Sequence, residues 1–214
     1  MKGKVVAITG ATSGIGQAAA ENMASMGARI VQLARDLERG KEALKRLRER
    51  TPDVSHSIYY ADLSRISETK QVAAQIVEAE PRIDVLVNNA GAMFGSRQLT
   101  ADGLERTFAL NHMAYFVLTH DLWERLVVSG GARVVNTASD AHQAVTLDFD
   151  DLQSAKAYRG RHYGDAALWR PWFQGLWPLE VVQHSFHTRT CPAACRRGGY
   201  CKLLPSGLRR DSFR

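Results

Sequence analysis

Cysteine is missing from the first 159 residues of this 214-residue chain. No disulfide framework can therefore support that part. Long apolar runs are missing as well. No stretch approaches the ~20 residues that a membrane-spanning helix needs. The run Val5-Val6-Ala7-Ile8 after Met1-Lys2-Gly3-Lys4 is broken by Gly10 too early for a signal peptide. These absences lead us to expect a cytoplasmic protein that neither spans nor anchors in a membrane. An excess of one charge sign is also missing from residues 1–159, which carry 19 Lys+Arg against 19 Asp+Glu. There is no internal repeat and no low-complexity segment. Hydrophobic residues at 45% and charged residues at 23% exclude a disordered or collagen-like chain.

The whole chain nevertheless has a net charge of +6 and a pI near 9.4. That charge lies in the last 55 residues, which hold 9 basic and 3 acidic side chains. The same stretch holds all three cysteines, three of the four tryptophans and four of the six prolines. Two compositions share one chain. The spacing of Cys191, Cys195 and Cys201 near His184 and His187 matches no usual zinc pattern, so no metal site is expected. Arg196-Arg197 and Arg209-Arg210 lack a periodic scaffold, which argues against a nucleic-acid surface.

Residues 1–159 alternate short apolar runs with amphipathic stretches. Strands are expected at 4–8, 29–33, 55–60, 83–87 and 133–136. Helices are expected at 14–26, 37–50, 64–78, 100–110 and 112–128, with Asp36 and Ser64 as N-caps. The inward stripes would be Ile15, Ala19, Met23 and Met26 in the first helix, and Leu37, Leu44 and Leu47 in the second. In the third they would be Ile66, Val72, Ile76 and Val77. This order predicts an α/β fold, a Rossmann-like doubly wound parallel sheet with helices on both faces. Residues 1–159 are expected to form one domain of this kind. Residues 160–214 show no convincing periodicity, so the last strand and helices of such a fold are expected to be missing.

Between the first strand and helix stands Thr9-Gly10-Ala11-Thr12-Ser13-Gly14-Ile15-Gly16. Glycines there permit a tight turn, a close approach of phosphate to backbone and close helix–strand packing. The helix N-terminus then offers free N–H groups and partial positive charge to a pyrophosphate. This segment resembles the cofactor signature of the short-chain dehydrogenases/reductases. Asp62-Leu63, Asn88-Asn89-Ala90-Gly91, Asn111 and Ser139 follow in the order of that family's landmarks. Leu33-Ala34-Arg35-Asp36, Asn111-His112 and Asp148-Phe149-Asp150-Asp151-Leu152-Gln153 are most similar to its retinol-dehydrogenase-like branch.

The resemblance implies hydride transfer between a nicotinamide cofactor and a small carbonyl or alcohol substrate. It assigns cofactor binding to Gly10, Thr12, Ser13, Gly14, Ile15, Gly16, Arg35, Asp62, Leu63, Asn89, Ala90 and Gly91. Enzymes that use NAD place an acidic residue at the end of the second strand. Ala34 holds that place and Arg35 follows, a guanidinium suited to a 2′-phosphate, so NADP(H) is expected over NAD(H). The family's catalytic set is a Tyr, a Lys four residues later, a Ser and an Asn. Asn111 and Ser139 match the last two. A phenol titrates near pH ~10 and needs a nearby cation to act near neutrality. Yet no tyrosine of this chain has a lysine four residues on. The resemblance also implies an oligomer interface using helix 112–128, incomplete without the helix that would follow.

The genetic code suggests why the pair is missing. Leu176-Trp177-Pro178-Leu179-Glu180-Val181 can be encoded so that a one-base shift reads Tyr-Gly-Arg-Ser-Lys. Trp177 and Pro178 force the shifted Gly, and Glu180 with Val181 forces Lys or Arg. Phe186–Cys191 and Pro205–Asp211 can give Phe-Thr-Arg-Glu-Leu and His-Pro-Gly-Phe-Val-Ala-Thr in the same frame. The expectation is a frameshift between about Gly160 and Trp172, and a catalytically impaired chain.

Overall fold

The computed structural model describes residues 1–139 and 148–156. The expectations for residues 160–214, among them the irregular out-of-frame tail and the Cys191–Cys201 cluster, lie outside the described residues.

The described residues form a parallel five-stranded sheet in the order β3-β2-β1-β4-β5. Its strands are β1 (Val5–Thr9), β2 (Arg29–Ala34), β3 (Ser57–Tyr60), β4 (Val85–Asn88) and β5 (Arg133–Asn136). The helices are α1 (Gly14–Ser25), α2 (Leu37–Arg50), α3 (Ile66–Ala79), α4 (Arg106–Phe108), α5 (Ala114–Asp121) and α6 (Trp123–Val128). One face of β1 and β2 sends Val6, Ile8 and Ile30 into a core closed by Ala20, Ala24 and Leu47 of α1 and α2. The other face sends Ala7, Val31 and Leu33 against Val72 and Ile76 of α3 and Leu118 of α5. A central parallel strand covered on both sides must be apolar throughout, and β1 is buried at all five positions.

The chain leaves β1 toward β2 on one side and returns to β4 on the other. The C-terminal ends of β1 and β4 therefore flank a topological switch point, where ligands of such sheets bind.

Helix α2 and strand β5 fall where the sequence places them, and Asp36 accepts the Arg39 N–H at 2.8 Å as an N-cap. Four details differ. The inward face of α1 is Gly16, Ala20 and Ala24, while Ile15 and Met26 are exposed. Small residues let α1 lie close to the sheet, so the larger side chains are turned outward. Leu37 is likewise exposed, and Gly40, Ala43 and Leu47 form the inward face of α2.

Strand β3 starts at Ser57 because the buried His56 ring accepts the Ile30 N–H at 3.0 Å, in place of a backbone carbonyl. Ser64 does not cap α3. Its hydroxyl donates to Asp62 at 2.8 Å, Arg65 takes the cap position, and Asp102 accepts the Ile66 N–H at 3.0 Å.

The stretch 100–128 is not two helices. Gly103 has φ +75° and closes a turn, and Leu99 pairs with Glu105 as an isolated bridge. Only then does α4 begin, running through a π-helical turn (Ala109–Met113) into α5. Leu122, at φ −90° and ψ 2°, separates α5 from α6.

Candidate functional site

Strand β1 ends at Thr9, and Gly10 turns the chain at φ +68°, a conformation that disfavours any residue with a Cβ. Space forbids a side chain there too, since a Cβ would sit 2.8 Å from the Ala90 Cα. At Gly16, a Cβ would overlap the Gly10 carbonyl oxygen and the Asn89 amide. Gly14 differs: it has φ +56°, is exposed, and nothing lies within 4 Å of where a Cβ would be. Two glycines thus serve packing against β4, and the third lies on the open side. Ser13 holds the N-cap position of α1 without a side-chain cap bond. The first N–H groups of α1 therefore have no side-chain acceptor from that residue. This arrangement fits a phosphate group.

The Asn89-Ala90-Gly91 segment is bound to this turn. Thr9 Oγ1 accepts the N–H groups of Asn89 and Ala90 at 2.9 and 2.8 Å. The Asn89 side chain donates to the carbonyls of Thr9 and Gly10 at 3.1 and 3.3 Å. Its other end accepts from Thr137 at 3.2 Å, just past β5. Tyr115 of α5 donates to the Ala90 carbonyl at 2.9 Å. One polar network thus joins the ends of β1, β4 and β5.

Asn111 lies in the π-helical turn and is buried. Its side chain bridges the Ala92 backbone, accepting the N–H at 3.0 Å and donating one amide N–H to the carbonyl at 3.1 Å. Its Oδ1 would be 3.3 Å from a Cβ at Gly91. His112 stacks on Phe108 at 5.4 Å, and burial lowers its pKa to about 4, so the imidazole is neutral. Ser139 is half-buried and two residues beyond Thr137.

At the other end of the site, Ala34 and Tyr60 pair across β2 and β3, and Ala61 N donates to the Ala34 carbonyl at 3.0 Å. Arg35 leaves β2 exposed, with Asp36 turned to its capping bond. Asp62 is fixed by the Ser64 N–H and hydroxyl at 3.0 and 2.8 Å, beside the buried Leu63.

The glycine turn, Asn89, Ala90, Gly91 and Asn111 are therefore one contiguous constellation. Along the same C-terminal edge of the sheet, Arg35 lies one strand from the glycine turn, and Asp62 and Leu63 lie two. Thr12 and Ser13 are on the turn itself, and Ile15 is 79% exposed on the first turn of α1. Reading the sequence missed Thr9, Tyr115 and Thr137. Thr9 directly precedes Gly10, and Tyr115 stands four residues after Asn111, on the same side of a helix; both spacings were available as signals. Among the described residues there is no group of three or more His, Cys, Asp or Glu that could hold a metal ion.

A family model for short chain dehydrogenases matches residues 4–157. The chain belongs to the short-chain dehydrogenase family. Human retinol dehydrogenase 12 is 42% identical over 169 residues, covering 78% of this chain and 54% of that protein. Such relatives support the retinol-dehydrogenase-like branch. The chain spans about half the length of the curated relatives it matches. Among solved structures, a short-chain dehydrogenase from Sphingobium yanoikuyae in complex with NADPH is 36% identical, with a TM-score of 0.58. It is matched over 66% of this chain and 55% of its own. L-Sorbose reductase from Gluconobacter frateurii, complexed with NADPH and L-sorbose, is 32% identical with a TM-score of 0.59. The match covers 66% of this chain and 54% of that one. Among the described residues, no helix is long and apolar enough to cross a membrane.

Proposed function

We propose that this chain is the nucleotide-binding part of an NADP(H)-dependent oxidoreductase, with reduced or no catalytic activity as the chain stands. The observation that carries the reading is the close packing of Gly10 and Gly16 on Asn89 and Ala90 at the switch point. When bound, the nicotinamide cofactor supplies a hydride donor or acceptor for a carbonyl or alcohol.

The chain's own residues do the following. The α1 N-terminus and the Gly10–Gly16 turn receive the pyrophosphate. Arg35 pairs with a 2′-phosphate, and Asp62 with Leu63 borders the adenine. Asn89, Ala90 and Gly91 form the floor under the nicotinamide half. Ser139 hydrogen-bonds the substrate oxygen. Asn111 holds the Ala92 loop through its carbonyl oxygen and one amide N–H, and with the remaining N–H it takes part in the proton relay. NADPH-bound relatives of 32% and 36% identity support the cofactor class. The cysteine-free residues 1–159 support a cytoplasmic location, tested by cell fractionation.

Fluorescence titration with NADPH and NADH tests the binding reading. Arg35→Ala is expected to raise the NADPH Kd at least tenfold and leave NADH nearly unchanged. Equal affinities in the unaltered chain sink the preference for NADP(H).

A second reading, a nucleotide-binding remnant without turnover, is favoured by the absence of Tyr-x3-Lys. Carbonyl reduction assays separate the two, because appreciable turnover excludes the remnant. The coding DNA tests the cause of the loss. A +1 frame without Tyr-x3-Lys, or with a stop before the Pro-Gly codons, removes the frameshift explanation. A homo-oligomer through α5 and α6, with its interface incomplete without the helix that would follow, would be read by sedimentation.

A further inference from the structure

The Asp148–Gln153 motif is used by none of the roles above, yet it is tied to the helix that carries Asn111. Gln153 Oε1 accepts the Glu105 N–H at 2.9 Å, and the Gln153 carbonyl accepts from Arg97 Nε at 3.4 Å. Asp151 holds the segment's own shape, accepting the Ala155 and Lys156 N–H groups at 2.7 and 2.9 Å. Glu105 is fully buried. Its carboxylate accepts the Phe108 N–H at 2.8 Å as the N-cap of α4, and the Thr107 hydroxyl at 3.0 Å. Helix α4 continues without a break into the π-helical turn and Asn111. Asn111 in turn holds Ala92, next to the Asn89-Ala90-Gly91 floor.

We propose that Gln153 is a positioning residue: through Glu105 it fixes the start of the α4 helix, and so the place at which Asn111 holds the Ala92 loop. This inference rests on the nucleotide-binding reading for its functional consequence, but not for its structural one.

A buried carboxylate that caps a three-residue helix has little else to define its direction. The bond from Gln153 fixes the Glu105 backbone at the point where the Leu99–Glu105 bridge ends. Losing it leaves a buried N–H without an acceptor, a cost concentrated at that point. The effect should travel only along contiguous contacts, from Glu105 to Asn111 to Ala92.

Gln153→Met keeps the side-chain length and removes the acceptor, while Gln153→Glu keeps an acceptor oxygen. In amide NMR and hydrogen exchange on the full chain, Gln153→Met should shift the Glu105 amide upfield. It should also speed exchange at Ala92 and Asn111 at least tenfold, with β1 and β2 amides unchanged. Gln153→Glu should restore both signals. In parallel, Gln153→Met should raise the NADPH Kd several-fold, while Gln153→Glu leaves it near that of the unaltered chain. Unchanged exchange at Ala92 and Asn111, or an equal rise across β1 and β2, overturns the proposal. Absence of NADPH binding in the unaltered chain overturns the nucleotide-binding reading alone, because the amide signals still decide the role of Gln153.

Discussion

The two halves of the sheet are built to different standards of burial. In β1 and β2 every residue except Arg29 is buried, although the edge strand β3 beside them has no fully buried residue, and α1 and α2 close the face with glycine, alanine and leucine. On the β4–β5 side burial alternates: β5 has no fully buried residue, and Val135 is 40% exposed. Phe116, Trp123, Val127 and Val128 of α5 and α6 are exposed as well. Yet both halves contribute to one site, because Thr9, Asn89 and Thr137 bind the ends of β1, β4 and β5 together. The first half supplies rigidity. The second supplies the Asn89 and Thr137 side chains that join the strand ends.

The glycine turn, where the halves meet, gives the largest expected effect. Gly10→Ala meets both a positive φ and the Ala90 backbone, and should destabilise by roughly 2–6 kcal/mol, the sum of αL strain and overpacking. Gly14→Ala meets only the strain and should cost about 1 kcal/mol. Urea denaturation of both variants checks the order. Similar losses would show that the close packing of the halves is not what Gly10 provides.

Core truncation probes the halves separately. Ile30→Ala removes a fully buried side chain between α1, α2 and the sheet, and should cost roughly 2–5 kcal/mol. Val135→Ala, at the β5 edge, should cost under about 1 kcal/mol, as exposed positions do. A cost at Val135 comparable to that at Ile30 would break the contrast between the halves.

Much of this was legible in the sequence because it is periodic or chemically unusual. The five strands, the α2 boundaries, the Asp36 cap and the glycine turn follow from apolar runs, polar breaks and residues that only a turn tolerates. The region from Thr100 to Val128 was not legible. Its apolar spacing suits a helix, but Gly103, the capping Glu105 and the π-helical turn reset the chain, and each acts through contacts with distant residues. The same applies to Ser64, whose hydroxyl was free to cap α3 until Asp62 took it. For the site, residue types announced the glycine turn and the Asn-Asn-Ala-Gly segment. Thr137 acts through the fold, so its sequence neighbours say little about it, whereas Thr9 beside Gly10 and Tyr115 four residues after Asn111 had spacings that could be read.

Each half also holds a buried histidine, and both should respond to acid. Burial, then Arg29 and Arg48, lowers the pKa of His56 below the usual 6.5. Its Nδ1 accepts the Ile30 N–H, and its Nε2 lies 2.7 Å from Thr51 Oγ1, which itself donates to the Leu47 carbonyl. The neutral ring with Nε2–H satisfies all three groups. A folded-state pKa below the unfolded one means that the unfolded chain binds the proton first. Stability is therefore complete above about pH 6.5 and falls as pH drops toward the folded pKa. His112 has the same sign, with its loss spread between 6.5 and about 4. His56→Gln should flatten the slope below pH 6.5 in thermal melts, and leave the His112 part, which extends down to about pH 4. An unchanged slope would remove His56 as its cause.

A small effect is also expected at Asp36, at the C-terminal edge of the first half. Asp36→Ala deletes the cap bond to Arg39 N and should cost about 1 kcal/mol. For a domain of this size that corresponds to a fall in Tm of roughly 2–4 °C. Asp36→Asn keeps an acceptor at the cap and gives up only the charge near the α2 N-terminus, worth about 0.3–1 kcal/mol. The pair of variants also separates two roles for this carboxylate. If it only caps α2, Asp36→Asn leaves NADPH and NADH binding alike unchanged. If it reaches a ribose 2′-hydroxyl, the same substitution weakens NADH selectively, and the arginine beside it is no longer what sets cofactor choice.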